Sequence, residues 1–151
     1  MFLNTDNLAD GEITLTLTAT QEADPAREWV PTYCFGILRA IDGVCVGRCC
    51  LRVGWNRKIF FGGHIGYFVV REHRGYHYAG KACRLLFTLA RRHGMVSLTI
   101  TCNPDNAASR RTCEYVGGVL ADIVELPEDN DMYLEGERKS AYIGLICRGE
   151  V

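Results

Sequence analysis

Residues 69–82 read VVREHRGYHYAGKA and mark the place where the sequence changes from a strand pattern to a helix pattern. An apolar run at residues 64–70 predicts a buried strand, whereas apolar side chains at residues 79–93 recur with the spacing of one helix face. A loop that leaves a strand and opens a helix presents unpaired backbone N–H groups and the positive end of the helix dipole. Gly75 and Gly80 would let this backbone approach a ligand closely. We therefore expect a phosphate-binding loop here, although the GxGxxG pattern of dinucleotide sites is absent.

The remaining pattern predicts an α/β fold with a mixed central β-sheet of about seven strands flanked by helices. Strands are predicted at residues 13–18, 33–40, 44–53, 64–70, 96–102, 119–126 and 141–147, and helices at residues 79–93 and 106–116. Residues 55–58 read as a turn, and an acidic loop precedes the last strand. Because strand and helix alternate after residue 64, the strands at residues 64–70 and 96–102 are expected to pair in parallel.

The composition predicts one folded domain over residues 1–151 and lowers the weight of several classes of partner. Apolar residues make up 48% of the chain and the formal net charge is −1, so no basic excess suggests nucleic acid or an anionic membrane surface. No apolar stretch is long enough to span a bilayer, and residues 1–11 lack the features of an export signal. We therefore expect a protein of the cytoplasm that binds neither nucleic acid nor membrane.

Eight cysteines raise the question of a metal site or a disulfide framework. No CxxC pair and no short Cys/His spacing occurs, so no metal site is expected. Cys49 and Cys50 are neighbours in a predicted strand, where their side chains would point to opposite faces. In a reducing cytoplasm we expect most of the cysteines to be buried thiols, with a disulfide framework as the alternative.

Two short motifs resemble those of the GNAT superfamily of N-acetyltransferases. The run Arg74-x-x-His77-x-Ala79 is similar to the Arg/Gln-x-x-Gly-x-Gly/Ala signature with which the family holds the CoA pyrophosphate, with His77 in the place of the usual glycine. Asn106-x-x-Ser109 is similar to the Asn-x-x-Ser/Ala helix that flanks the pantetheine arm. Wider similarity covers residues 64–124 and points to a bacterial branch of predicted acetyltransferases.

The resemblance implies direct transfer of an acetyl group from acetyl-CoA, as co-substrate, to an amine. It implies that two neighbouring strands splay to admit pantetheine, that Val69 and Val70 pair with the pantetheine amides, and that residues 74–80 hold the pyrophosphate. The residues implied to bind CoA are Val69, Val70, Arg74, Gly75, Tyr76, His77, Tyr78, Ala79, Gly80, Asn106 and Ser109.

His64 and Cys113 are the predicted catalytic residues. His64 opens the strand before the loop, where several relatives carry a glutamate, and an imidazole with an ordinary pKa of about 6.5 suits a general base. Cys113 stands where many members carry a tyrosine near the leaving sulfur, and a thiol with an ordinary pKa of about 8.5 could protonate a thiolate. The alternatives are a strand-end histidine bonded to backbone and an inert core thiol. Tyr115 would face another direction on its helix.

The acceptor is expected to be the amine of a small molecule or peptide, and a homodimer is compatible with the resemblance. Arg110 and Arg111 are candidates for contacts with CoA phosphates, and Glu72 reads as a solvated turn residue. An acidic run lies between the last two strands, where clustered carboxylates would favour a cationic acceptor unless they are plain solvated loop. Its members are Glu125, Glu128, Asp129, Asp131, Glu135 and Glu137.

Two other classes of function fit parts of the sequence. A CoA-binding sensor or interaction module that has lost transfer activity would explain the departures at His77 and Cys113. A redox or metal protein would use the cysteines. Turnover of the thioester over a panel of amines separates the sensor from the enzyme, and elemental analysis tests the metal protein.

Overall fold

The computed structural model of the protein describes residues 1–146. Its strands form two β-sheets that meet at one point. Strands β1 (Ile13–Gln21), β2 (Thr32–Arg39), β3 (Cys45–Arg52) and β4 (Ile65–Val69) form an antiparallel sheet in chain order. Strands β5 (Ser97–Cys102), β6 (Val119–Glu125) and β7 (Lys139–Ile146) form an antiparallel sheet in the order β5-β7-β6. The α-helices are α1 (Arg57–Gly62), α2 (Tyr78–Arg92), α3 (Ala107–Tyr115) and α4 (Asp131–Leu134). Pro25–Arg27 and Arg71–His73 are short 3-10 turns.

Helix α2 forms the core with the inner face of the four-stranded sheet. Ala82, Leu86 and Leu89 are fully buried on one stripe of α2, as their spacing predicts. Alternate residues of the strands, such as Phe35 and Leu51, point toward this stripe. The opposite, outer face of the sheet carries the other set of side chains, including those of Cys34, Cys50, Arg48, Arg52 and Phe68, and Phe68 is 48% exposed.

The α/β class and the seven strands are confirmed. The expected parallel pairing of β4 with β5 is wrong, because the two strands belong to different sheets and form no ladder of hydrogen bonds. One backbone hydrogen bond joins the two strands where they meet, from His64 N–H to Thr99 O at 2.8 Å. Beyond this junction each strand pairs only with its antiparallel neighbour, β3 or β7. The single predicted sheet is therefore two sheets separated by a gap.

Two short helices were not predicted. The turn expected at residues 55–58 opens α1, because the Asn56 side chain caps the helix by accepting from Ile59 N–H at 2.9 Å. Asn130 caps α4 in the same way within the predicted acidic loop. The last strand begins two residues earlier than expected, and its predicted end at Cys147 lies outside the described residues. No helix within residues 1–146 is long and apolar enough to cross a membrane.

The expectation of thiols is wrong for Cys34 and Cys50, which form a disulfide. They are directly opposite each other on β2 and β3, with their Cα atoms 4.2 Å apart, so the antiparallel register brings both side chains to the outer face. Sequence spacing could not reveal this pairing. Cys49, Cys83 and Cys113 are buried free thiols, as expected.

Candidate functional site

A cavity of about 510 Å³ opens between β4, the loop before α2 and helix α3. This volume is in the range of small-molecule and cofactor pockets. One wall comes from β4, the floor from the loop before α2, and the other wall from α3. The lining residues are Tyr67, Phe68, Val69, His73, Arg74, Gly75, His77, Tyr78, Ala79, Asn106, Ala108, Ser109, Arg111 and Thr112.

The floor of the cavity presents a row of free backbone donors. No hydrogen bond formed within residues 1–146 uses the N–H groups of residues 75–80, which lead into the first turn of the 15-residue helix α2. These donors and the positive end of the helix dipole favour an anion. Arg74, whose Nε donates to Val69 O at 2.9 Å, and Arg111 also line the cavity, so the site suits a phosphate-bearing ligand.

His77 takes the backbone conformation that the motif glycine would take. Its φ and ψ are 60° and 25°, in the left-handed region that most side chains avoid. The imidazole stacks on the ring of Tyr115, with centroids 4.3 Å apart and planes 7° from parallel. This stacking offsets the cost of the left-handed conformation, so His77 preserves the turn that leads into α2.

The side chain of Tyr115 packs α3 against the start of α2 and does not line the cavity. Its ring lies directly against Gly80, where any Cβ would overlap the ring atoms. The guanidinium of Arg84 covers the same ring at 4.3 Å and donates to the Tyr115 carbonyl at 3.2 Å. The glycine at residue 80 is therefore required for helix packing, rather than for close approach of a ligand.

Eight of the eleven predicted CoA-binding residues line the cavity: Val69, Arg74, Gly75, His77, Tyr78, Ala79, Asn106 and Ser109. Asn106 also caps α3 by accepting from Ser109 N–H at 3.1 Å. The other three, Val70, Tyr76 and Gly80, do not line it. The Val70 N–H donates to Val46 O at 2.8 Å, so it is already used in the four-stranded sheet. The Tyr76 ring is exposed and stacks on Tyr78.

Of the two arginines considered on α3, Arg111 lines the cavity and Arg110 does not. The guanidinium of Arg110 donates to Pro104 O at 3.4 Å instead. Glu72 is exposed in the loop, as expected for a solvated turn residue.

His64 lies at the junction of β4 and β5 with both ring nitrogens engaged. Nε2 donates to Gly54 O at 2.8 Å, and Nδ1 accepts from Thr99 N–H at 3.0 Å. The residue is 5% exposed, and burial lowers the pKa of the imidazole below its ordinary value. A neutral imidazole without a free lone pair does not suit a general base, and these bonds instead fix the point where the two sheets meet.

Cys113 lies behind the cavity wall, and the hydroxyl of Tyr67 stands in front of it. Tyr67 lines the cavity, and its Oη lies 2.5 Å from Ser109 Oγ and 4.0 Å from Cys113 Sγ. Burial raises the pKa of the Tyr67 phenol, which therefore stays protonated and able to donate. Sequence reasoning missed Tyr67, although strand alternation from Ile65 to Val69 does put its side chain on the inner face.

A second thiol accompanies Cys113. Cys102, at the end of β5, is half-buried and interacts with the thiol of Cys113. This interaction between the two thiols is the main cause that lowers the pKa of Cys102 to about 7 and raises the pKa of Cys113. Among the described residues, no three His, Cys, Asp or Glu side chains come together as a metal site.

The acidic loop folds back on α1. Asp129 forms a two-point ion pair with Arg57, with both N–O distances 3.1 Å. Arg57 also lies over the ring of Phe61, whose carbonyl accepts from the buried Ser140 hydroxyl of β7. The loop therefore lies beside the second sheet, and Asp129 is neutralised within the chain.

Comparison with known proteins identifies the fold. The family model of the GNAT acetyltransferase domain matches residues 6–119. A GNAT-family acetyltransferase from Bacillus anthracis superposes with a TM-score of 0.61 and 15% identity over 76% of this chain and 66% of that one. An acetyl transferase from Salmonella typhimurium that modifies the N-terminal serine of ribosomal protein L7/L12 has a TM-score of 0.60 and 18% identity, over 80% and 66% of the two chains.

The microcin C7 self-immunity acetyltransferase MccE, solved with acetyl-CoA and AMP, has a TM-score of 0.61 and 15% identity over 76% of this chain and 61% of its own. The chain thus spans 61% to 66% of the length of these three proteins. No curated protein matches it in sequence. At such identities the structural likeness establishes the fold alone, whereas the family model covers most of the chain. The chain therefore belongs to the GNAT family of acetyltransferases.

Proposed function

We propose that this protein is an N-acetyltransferase that uses acetyl-CoA and transfers its acetyl group directly to an amine. The observation that carries the proposal is the set of free N–H groups at residues 75–80, in the loop that forms the floor of the cavity between β4 and α3. The solved structure of MccE with acetyl-CoA supports this choice of co-substrate within the family.

The residues of the cavity fit the two parts of CoA. The N–H groups of residues 75–80 and the side chain of Arg74 would hold the pyrophosphate, with Arg111 as a second cation on the α3 side. Val69 and Ser109 would flank the pantetheine arm in the gap between the sheets. Val69 lines the cavity wall. We leave Val70 out of the proposed CoA-binding residues, because its N–H donates to Val46 O.

Tyr67 is our candidate for the general acid. In the reaction, the amine nitrogen forms a bond to the thioester carbon, the C–S bond breaks, and the sulfur leaves as a thiolate. The Tyr67 hydroxyl would donate its proton to that thiolate, and Ser109 Oγ, 2.5 Å away, would hold the hydroxyl in place. In this proposal Cys113 lies beside Tyr67 and does not donate the proton.

The amine is expected to react from its free-base form, with its proton passing to water. We do not propose His64 as the base, because both of its ring nitrogens are bonded at the junction. The rate should then follow the pKa of the acceptor amine and show no inflection near the ordinary pKa of histidine, about 6.5.

The proposal is tested by thermal-shift titration with acetyl-CoA, CoA and acetyl-pantetheine, which lacks the pyrophosphate. We expect acetyl-CoA and CoA to raise the Tm saturably and acetyl-pantetheine to have a much weaker effect. Ala79→Trp should abolish the shift by filling the floor of the cavity, while Ala23→Trp, at an exposed alanine far along the chain, should retain it.

Thioester turnover over a panel of amines then separates the enzyme from the sensor. Release of CoA that depends on an amine supports the transferase. Tight acetyl-CoA binding without turnover of any amine would support a CoA-binding module. An unchanged Tm at millimolar acetyl-CoA would contradict both the transferase and the CoA-binding module.

A further inference from the structure

Arg52 is half-buried, and no carboxylate of the described residues forms an ion pair with its guanidinium. It lies on the outer face at the end of β3, and its Nη1 donates to Gly63 O at 3.1 Å. Burial lowers the pKa of its guanidinium, as expected for a cation that has lost water without gaining an acidic partner.

The position of Arg52 relates it to the reaction site. Both of its terminal nitrogens lie 3.7 to 3.8 Å from the place where a side chain on Gly66 would begin. Gly66 precedes Tyr67 on β4, and Gly63 precedes His64 at the junction of β4 and β5. The guanidinium therefore lies over the backbone of Gly66 on the outer face, whereas the side chain of the next residue, Tyr67, points to the inner face.

In this arrangement, a second substrate would approach β4 from the outer face. Helices α2 and α3 cover the inner side, and CoA would fill the cavity near residues 75–80. On the outer side, no Cβ at Gly66 separates Arg52 from the strand, and α1 lies over β5 and β7 rather than over β3 and β4.

We propose that Arg52 binds a carboxylate of the acceptor, so that the substrates are amines that carry a carboxylate group, such as free amino acids and other short amino acids. The inference rests on the proposed acetyl transfer and specifies its acceptor. A guanidinium with unused donors matches a carboxylate in two-point geometry. Within the acidic loop, Asp129 is already paired with Arg57.

Arg48 supplies a matched control on the same strand and the same face. It is exposed, its guanidinium lies 5.8 Å from the ring centre of Phe68, and it forms no ion pair within residues 1–146. Removing either arginine changes the net charge equally, so a general electrostatic effect would appear in both variants and recognition of a carboxylate only in one.

The experiment compares each carboxylated amine with its own carboxamide, for example glycine with glycinamide and β-alanine with β-alaninamide. Rates are compared at equal concentrations of the free-base amine, because the amide lowers the pKa of the amine. We expect kcat/KM to favour the carboxylates by about 10- to 100-fold, the usual value of a hydrogen-bonded charge. Arg52→Gln should remove this preference through the KM of the amine, Arg52→Lys should restore part of it, and Arg48→Gln should retain it.

Acetyl-CoA binding distinguishes failure of this inference from failure of the proposed function. Equal or better turnover of the carboxamides by the unaltered protein would overturn the inference without any variant. So would an acetyl-CoA-binding protein that turns over no carboxylated amine, or equal effects of the Arg52→Gln and Arg48→Gln changes. Loss of acetyl-CoA binding itself would instead count against the proposed function.

Discussion

At the scale of single residues, the hydroxyl of Tyr67 has the central chemical role in our account. Tyr67→Phe should lower kcat by about 100-fold, within the usual range for general acid–base catalysis, and leave the KM for acetyl-CoA unchanged. The fold should be retained, because the change removes one oxygen and leaves the ring.

Cys113→Ala is the matched comparison, since Cys113 is the neighbouring candidate. It should lower kcat far less than Tyr67→Phe, because Cys113 does not line the cavity. Steady-state kinetics of both variants with one amine decides between the two donors. A larger loss in Cys113→Ala, with thermal unfolding near that of the unaltered protein, would return the role to the thiol.

His64 should make the stability of the fold depend on pH. Its pKa is lowered in the folded protein, so below about pH 6.5 the unfolded chain binds the proton more strongly. The contribution of His64 is then complete above this pH and is lost as the pH falls through the folded pKa. Urea unfolding between pH 5 and pH 8 should show this decrease, and His64→Gln should reduce it.

His93 complicates that measurement, because burial lowers its pKa as well. The difference between the unaltered protein and His64→Gln isolates the contribution of His64. If the two have the same pH dependence of the free energy of unfolding, His64 is not held neutral at the junction.

At the scale of elements, the contact between α2 and α3 depends on Gly80. Gly80→Ala should cost about 1 to 3 kcal/mol of stability, the usual cost of overpacking, because the new Cβ would overlap the Tyr115 ring. Gly62→Ala is the control, since Gly62 ends α1 in open space. Denaturant unfolding checks both, and an unchanged free energy in Gly80→Ala would contradict the packing described for Tyr115.

Elements with strong local patterns could be predicted from sequence, and contacts between elements could not. The apolar period of α2 and the alternation of β2 and β3 indicated both type and position. Helix α1 was missed because six residues around Phe60 carry no period, and its start depends on the Asn56 cap. The gap between β4 and β5 was expected only from family resemblance, because a local pattern does not encode which strands pair.

The candidate site followed the same division. The loop before α2 was predicted as an anion site because helix ends have free N–H groups whatever their sequence. The sequence did not show whether the loop keeps its shape with His77 in the place of the motif glycine. The stacking of His77 on Tyr115, which supports the left-handed backbone there, is visible only in the structure. Roles that depend on tertiary contacts, such as those of His64 and Tyr67, could not be read from the order of residues.

At the scale of the whole molecule, the disulfide between Cys34 and Cys50 should add stability to the first sheet. Reduction should lower the free energy of unfolding by about 2 to 4 kcal/mol, the usual effect of closing a short loop. Guanidinium unfolding with and without a reductant measures the difference, and the Cys34→Ser, Cys50→Ser double variant should lose its sensitivity to reductant. Equal unfolding of the oxidised and reduced protein would contradict a stabilising role for this cross-link.

The most direct test of the central claim is to observe the backbone N–H groups of residues 75–80 by amide NMR during titration with acetyl-CoA. Our account predicts that these amides show the largest shifts, at one affinity, and that acetyl-pantetheine leaves most of them unmoved because it lacks the pyrophosphate. If acetyl-CoA binds and shifts other regions while residues 75–80 stay unchanged, the loop before α2 is not the CoA site and the account is wrong.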